Sequence, residues 1–579
     1  MKKMPPLNNS AVAQLLREVA AAYEILGKNF FEIRAYQQAA EAIEHASVSV
    51  YDLWQQGNLQ KIPGVGGNIA QHLDQLFRQG YSDHFEEIKA QMPPGMFVLL
   101  PLPGIGPKTA FRLAQELKIR SFSDLEKACR EHRIAALPGF GLKSESKILQ
   151  SLHDFSPAQN KRLLLPQADY IAGKFKKYLQ QFPFVERVEA LGSLRRMAAT
   201  IGDIDLAVQS PEAEKTITAF INFPAEKQII NQGEVKAALR LGEGVRVDLR
   251  VERRERFGSL LQYFTGSKSH NIHLRELALK KGLSLSEYGI REKNGTLHLF
   301  AREEDFYAFL GLPWIPPELR EDNGEIEAAL AQQLPQLVQL QDIRGDLHVH
   351  CNFDLEESHD RGQASIEEIA KAAQKKGYHY IAVGNHSPSL SGHDEKDKRR
   401  LLEAKRRAID KVQQNFPRLK LLHMVEVDIL ANGELALSNN NLKLLDLAIA
   451  GVHSSLQQDR KQMTQRILRA LRNPYIHGLA HPSGRLLNKR PPYEVDWEKV
   501  FRLCREEGKF LEINAFYTRL DLPDLLIREA IRAGVKLAIN TDAHQLEQLD
   551  LMVYGVAMAR RGWAEVKDIV NCAEKWPAL

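Results

Sequence analysis

From Gly345 to the end of the chain, short apolar runs alternate with amphipathic helical stretches. Examples are Tyr380-Ile381-Ala382-Val383, Leu447-Ala448-Ile449-Ala450, Phe510-Leu511-Glu512-Ile513 and Lys536-Leu537-Ala538-Ile539. That alternation predicts parallel strands joined by crossover helices, and it admits a closed barrel. The rest of the chain has different periods, and 579 residues are too many for one core, so several domains are expected. The four cysteines, Cys129, Cys351, Cys504 and Cys572, form no CxxC pair, which fits a reducing cytosol and argues against a disulfide framework or a zinc ribbon. Met1-Lys2-Lys3-Met4-Pro5-Pro6 leads into a mixed polar segment, and no apolar run reaches membrane-spanning length. The protein is therefore expected in the cytoplasm, with no membrane partner. A formal charge of +5 is a weak pointer to nucleic acid, so the local pattern must carry that argument.

The first segment has helical spacing. Val12, Leu15, Val19, Ala22 and Leu26 recur at steps of three and four, and the pattern continues from Phe30 to Ile43. A short motif then recurs: Ile62-Pro63-Gly64-Val65-Gly66, Leu102-Pro103-Gly104-Ile105-Gly106 and, more weakly, Leu137-Pro138-Gly139-Phe140-Gly141. Each precedes a helical stretch and resembles the helix-hairpin-helix motif. Its glycines allow a tight turn, and the next helix N-terminus offers backbone N–H groups to a DNA phosphate without reading sequence. One copy would be an ordinary glycine turn; three copies make Gly64, Gly66, Gly104, Gly106, Gly139 and Gly141 candidate DNA-backbone contacts.

From about Leu163 the pattern becomes mixed α/β. Residues 185–191, 203–208 and 245–251 read as strands. Residues 256–320 read as helix-rich and end in Pro313-Trp314-Ile315-Pro316-Pro317; residues 321–343 read as a polar linker. Asp203 and Asp205, two apart on a predicted strand, would share a face, and Asp248 on a neighbouring strand would complete a triad. Three clustered carboxylates repel one another unless cations lie between them, and hard oxygen donors select Mg²⁺. Two such ions would activate a hydroxyl and stabilise a leaving pyrophosphate. Gly192 and Ser193 let the backbone approach a phosphate, and Arg196 suits triphosphate oxygens.

Gly192 to Asp205 resembles the palm of the family X DNA polymerases, of the nucleotidyltransferase fold. Tyr263-Phe264-Thr265-Gly266-Ser267, with Asn271 and Arg275, resembles that family's thumb. The resemblance, over roughly residues 1–320, implies that Tyr263, Phe264 and Gly266 pack under the sugar of the incoming nucleotide. It implies that Asn271 touches its base, that Arg275 probes the template side, and that Ser193 and Arg196 hold the triphosphate. It also bears on a lyase some relatives carry. The lysine that forms a Schiff base there stands here as His72, and a supporting lysine as Asn68, so that activity is not expected in its usual form.

Imidazole and carboxylate dominate the last third. His348, His350, His386, Glu426, His453, His481, Asp542 and His544 come mostly after apolar runs, where barrel folds place their chemistry. That donor set suits Zn²⁺, Mn²⁺ or Fe²⁺ better than Mg²⁺ or Ca²⁺. The pieces Asp346-Leu347-His348-Val349-His350, Asn385-His386-Ser387-Pro388, Glu426-Val427-Asp428, Ala480-His481-Pro482 and Thr541-Asp542-Ala543-His544 resemble the PHP domain, named for polymerases and histidinol phosphatase. The resemblance implies a distorted β/α barrel with up to three Zn²⁺ or Mn²⁺ ions, with His348, His350, His386, Glu426, His453, His481, Asp542 and His544 as ligands and Glu426 bridging two ions. In two places the sequence departs from that pattern. The Asp usual after the second histidine falls in a longer loop, where Asp360 fits best and Asp354 and His359 remain open. Asn385 stands where Asp is common. Cys351 reads as a small residue beside the motif rather than a soft ligand.

The expected architecture is a multidomain α/β chain. Residues 1–88 form a lyase-like helical DNA-binding domain, 89–160 helix-hairpin-helix fingers, 161–255 a nucleotidyltransferase palm and 256–320 a thumb. A linker over 321–343 leads to the PHP domain over 344–579. The expected protein is a monomer that acts on gapped or primed DNA with dNTPs. It would fill gaps in repair, with a 3′-5′ exonuclease and an AP endonuclease assigned to the PHP domain. The alternatives are a small-molecule phosphatase or a non-catalytic metal domain in that position.

Overall fold

A computed structural model describes residues 9–44, 50–55, 57–62, 64–102, 104–154, 162–242, 244–357, 360–389 and 392–576. The chain falls into two compact units, 1–161 and 162–579.

The first unit is helical. Helices Asn9–Ile25 and Phe30–Glu44 bury Val12, Leu16, Val19, Ala39 and Ile43 in one core with Leu73, Phe85 and Leu113. Leu16 rather than Leu15 lies at the centre of the first helix's buried face, and Leu26 falls in the turn beyond the helix end, where it is exposed. The first glycine of each recurring turn takes the same left-handed conformation: Gly64, Gly104 and Gly139 sit at φ +81°, +83° and +81°. Helices Gly67–Gln79 and Pro107–Glu116 follow, capped by Gly66 and Gly106 in extended conformation, which bring no side chain to the first N–H groups. That leaves two helix N-termini with donors for an anion.

The second unit begins with a five-stranded sheet in the order Arg187–Ala190, Ile204–Gln209, Arg246–Glu252, Lys236–Leu241, Lys227–Gln232. Ile204–Gln209 and Arg246–Glu252 run parallel, with Asp205 opposite Asp248. Ile204, Leu206, Val208, Val247, Leu249 and Val251 alternate into a core shared with Phe175 and Phe220 of the covering helices, so the period of two sends both aspartates to the other face. The strand starts one residue later than expected: Asp203 lies in the bend before it and is exposed. Helices Phe257–Thr265 and Lys268–Lys280 follow. Residues 256–320 are less helical than expected, because Leu283–Ser286, Gly289–Glu292 and Leu297–His298 pair as an antiparallel sheet. These strands are only two to four residues long, so the alternation of Leu283-Ser284-Leu285-Ser286 is too brief to stand out and the other two show none. Residues 321–343 hold the helix Glu325–Leu330, pinned by the buried Glu325 on His270 Nδ1 at 2.6 Å.

The C-terminal part is a seven-stranded parallel sheet: Gly345–Asp346, Tyr380–Val383, Lys420–Asp428, Leu447–Gly451, Gly478–Leu479, Phe510–Asn514 and Lys536–Asn540, each beside the next in sequence. Past the outer strands Val349 bridges Ala543, and the His350 N–H donates to the Ala543 carbonyl at 2.8 Å, so the barrel nearly closes. Helices between the strands cover its outside, which is why the strands are apolar runs rather than alternating ones. Met424 and Phe510 belong to a small interior core, and Glu426 and Glu512, two residues on, share their parity.

Candidate active sites

At the edge of the five-stranded sheet the chain turns through the four-residue helix Gly192–Arg195 directly beside Asp205. Gly192 has φ +56°, and a Cβ there would lie 2.8 Å from Asp205 Oδ2, so this carboxylate and any larger residue at 192 exclude each other. Burial, then the charges of Asp203 and Asp248, push the Asp205 carboxyl up to about 7. Asp248 accepts from Arg246 Nε at 2.6 Å and Nη2 at 2.8 Å. Asp203, Asp205 and Asp248 thus lie near enough to repel one another, with Gly192 beside Asp205, but as they stand they are not among the donor sets close enough to share one ion. Ser193 is half-buried, and its carbonyl accepts from the Ala198 N–H at 3.0 Å to close the turn.

Arg196 donates from Nη1 to the Thr265 carbonyl at 2.6 Å, which sets its guanidinium against Gly266. Beyond it, Asn271 donates from Nδ2 to the Tyr263 carbonyl at 2.7 Å and accepts from Gln262 at 2.9 Å. The Arg275 guanidinium stands 5.2 Å over the Tyr263 ring, and that of Arg250 3.9 Å over Phe264. The candidate substrate residues on these two helices therefore lock one another.

Eight of the nine candidate ligands of the barrel cluster together, six of them around Glu426 and His544 beside His350 and His386. Three overlapping donor sets lie close enough to share an ion: His348, His350, Glu426 and Asp542; His386, Glu426 and His453; His350, His386 and His544. His481 Nε2 is 2.8 Å from Glu426 Oε1, and His453 Nε2 is 3.0 Å from the same oxygen. Burial alone would raise the Glu426 carboxyl, but the imidazoles of His453, His386, His348 and His481 hold it well below the usual range. Burial would likewise depress His453, yet Glu426 and Asp428 push it up to about 10. The buried His350 Nδ1 and His544 Nε2 have no hydrogen-bond partner among the described residues. Buried imidazole nitrogens without a hydrogen-bond partner, on residues that belong to these donor sets, fit a metal centre.

Asp360 is the exception. It is exposed and joins none of the donor sets. Asp354 takes Arg361 at 2.7 Å, and His359 lies outside the described residues. The loop instead buries the side chain of Glu357, which accepts from Asn385 Nδ2 at 3.2 Å. Asn385 holds this loop to the strand end, also accepting from Cys351 Sγ at 3.2 Å. Burial raises the Cys351 thiol, which keeps it protonated as that donor.

Three carboxylates around the centre were not anticipated as part of it. Glu512 Oε1 sits 2.7 Å from His348 Nδ1, and its other oxygen accepts from the His481 N–H at 2.7 Å. Asp428 Oδ1 is 2.6 Å from His453 Nδ1. Asp346 accepts from Thr541 Oγ1 at 2.5 Å and the His348 N–H at 3.1 Å. The signal for Glu512 was present: a single charge inside Phe510-Leu511-Glu512-Ile513 must be paired once buried.

Residues 260–321 match the family of DNA polymerase beta thumbs, residues 7–82 a helix-hairpin-helix domain family, and residues 98–154 a SAM-like helix-hairpin-helix tandem family. The chain is similar to the DNA polymerase/3′-5′ exonuclease PolX of Bacillus subtilis (strain 168), at 34% identity over 98% of this chain and 97% of that protein. It is 25% identical to DNA polymerase lambda of Rattus norvegicus over 54% of this chain and 56% of that protein. A probable phosphatase of Thermoanaerobacter sp. (strain X514) is 31% identical over 34% of this chain and 78% of its own length.

Proposed function

This chain belongs to the bacterial PolX family of DNA polymerase/3′-5′ exonucleases, and on that premise we propose how its residues divide the two chemistries. The carboxylates Asp203, Asp205 and Asp248 of the five-stranded sheet are assigned to polymerisation, in a palm over 161–255. Mg²⁺ held there supplies charge neutralisation for the primer hydroxyl and the departing pyrophosphate. Gly192 gives the backbone room at Asp205, while Ser193 and Arg196 receive the triphosphate. Tyr263, Phe264, Gly266, Asn271 and Arg275, in a thumb over 256–320, shape the pocket for sugar and base. The hairpin glycines place backbone N–H groups on DNA phosphates, in an N-terminal domain over 1–88 and fingers over 89–160.

The 3′-5′ exonuclease is assigned to the barrel over 344–579. The observation that carries this is three overlapping donor sets among the described residues, two of them sharing the buried carboxylate Glu426 and the third joined to them through His350 and His386. Zn²⁺ or Mn²⁺ bound by these residues supplies the Lewis acidity that hydrolysis of a phosphodiester needs. Glu512 and Asp428 fix the imidazoles of His348 and His453 by their second nitrogens. The natural task is short gap filling in DNA repair with removal of 3′ nucleotides, by a monomer; incision at abasic sites belongs to the same reading. A phosphatase role for the barrel is the second reading, favoured by the likeness to a probable phosphatase. Purified protein with Mn²⁺, offered a 3′-recessed duplex and p-nitrophenyl phosphate separately, decides between them. The exonuclease reading expects nucleotide release from DNA that His348→Ala abolishes; turnover of the small ester alone would support the phosphatase.

A further inference from the structure

Arg196 is held from two sides. Besides the Thr265 carbonyl, its Nε donates to Glu321 Oε1 at 3.0 Å. That oxygen is shared: Arg561 Nη1 donates to it at 2.8 Å, and to the main-chain carbonyl of Arg196 at 2.7 Å. The other arm of Arg561, Nη2, pairs with Asp524 at 2.5 Å. Arg561 ends the helix Met552–Arg561, and Asp524 opens the helix Asp524–Arg532, both on the outside of the imidazole-rich barrel. A continuous chain of four alternating charges thus runs from the barrel, through Asp524, Arg561 and Glu321, to the arginine assigned above to the triphosphate. The Arg196 and Arg561 side chains are 14% and 8% exposed, so these charges are poorly screened by water.

We propose that Arg561, a residue of the barrel, is a positioning residue for nucleotide binding: it fixes the Arg196 main chain directly and the Arg196 guanidinium through Glu321. The inference rests on the assignment of Arg196 to the triphosphate. Its electrostatic logic has a definite sign. A triphosphate competes with Glu321 for Arg196. While Arg561 neutralises Glu321, the carboxylate orients Arg196 without claiming it. Without Arg561, Glu321 pairs with Arg196 alone and sets an uncompensated negative charge beside the incoming phosphates.

The test is single-nucleotide insertion by the full chain with Mg²⁺, read as KM and kcat for the dNTP, beside Mn²⁺-dependent release of 3′ nucleotides. Arg561→Met should raise KM about tenfold with kcat and nuclease each within about twofold, as expected for loss of one charged hydrogen-bonding partner. Adding Glu321→Gln to Arg561→Met should bring KM back to within about threefold of the unaltered chain, because it removes the uncompensated carboxylate. A merely structural defect would not be rescued. Should Arg561→Met not fold, Arg561→Lys keeps the charge but loses the fork, and the same split is expected at about half the size on a logarithmic scale. An unchanged KM in the variant that folds, or a KM loss that Glu321→Gln leaves in place, overturns the proposal. Arg196→Ala separates the two levels. If it leaves KM unchanged, the triphosphate assignment itself is wrong; if it raises KM while the Arg561 variants are silent, only the link to the barrel is.

Discussion

Single residues set the chemistry through what they exclude as much as through what they bind. At Gly192 a methyl group would meet Asp205 Oδ2 at 2.8 Å. Gly192→Ala should therefore cut extension by about a hundredfold, through a displaced carboxylate, and leave 3′ hydrolysis at the barrel in place; equal loss of both activities would point to misfolding instead. Asp205 also carries a signature of pH. Its folded value, about 7, lies above the ordinary carboxylate value, so the folded state holds the proton more tightly and stability falls as pH rises through the window up to about 7. Mg²⁺ binds the charged form. Its gain in melting temperature should be larger at pH 8 than at pH 5, and Asp205→Asn should remove most of the difference; a gain independent of pH in the unaltered chain contradicts this. In the barrel, Glu512→Gln should lower retention of Zn²⁺ or Mn²⁺ on dialysis by about tenfold or more while extension persists, measured by metal analysis. The ligand types were legible because imidazoles after apolar runs need a reason. Their supports were not, because Glu512 and Asp428 become partners only when separate strands meet. Asp360 shows the converse failure: a motif interrupted by a longer loop does not say which carboxylate turns inward, and Glu357 is the one buried.

Elements were legible where one period dominated. Tyr380–Val383 matches its sequence reading to the residue, and the strands over Leu447–Gly451, Phe510–Asn514 and Lys536–Asn540 to within one. The strand Lys420–Asp428 was missed although it carries Glu426: His423, Glu426 and Asp428 break its apolar run, and their burial is settled by partners distant in sequence. Gly478–Leu479 is too short to show any period. The hairpins were plain because a glycine at φ near +80° is a local demand, visible without tertiary context. If their helix N-termini are the DNA anchors, affinity for gapped DNA should fall steeply with salt and depend little on sequence. Replacing Gly104 and Gly106 by valine should weaken binding while Asp205-dependent insertion persists at high DNA concentration; a flat salt response would rule these turns out as anchors. The helix Gly67–Gln79 carries the matching negative expectation. The His72 ring stacks on His84 at 4.2 Å between centroids, and burial lowers its pKa, so it offers a neutral imidazole and no primary amine. Borohydride should trap no adduct with a 5′-deoxyribose phosphate end; efficient trapping would show that an amine elsewhere has taken the role.

At the scale of the whole chain, one polypeptide carries two opposed reactions on the same end of DNA, with a carboxylate set suited to Mg²⁺ at one centre and an imidazole-rich set suited to transition metals at the other. On the proposed division, the different donors let each reaction be removed or supplied separately. The most direct measurement follows a 5′-labelled primer on a gapped template, with and without dNTPs, for the unaltered chain, Asp205→Asn and His348→Ala. The unaltered chain should lengthen the primer when dNTPs are present and shorten it with Mn²⁺ when they are absent. Asp205→Asn should only shorten it, and His348→Ala should only lengthen it. Loss of both reactions in either variant, or shortening that survives His348→Ala, would contradict the division of the two chemistries between the five-stranded sheet and the barrel.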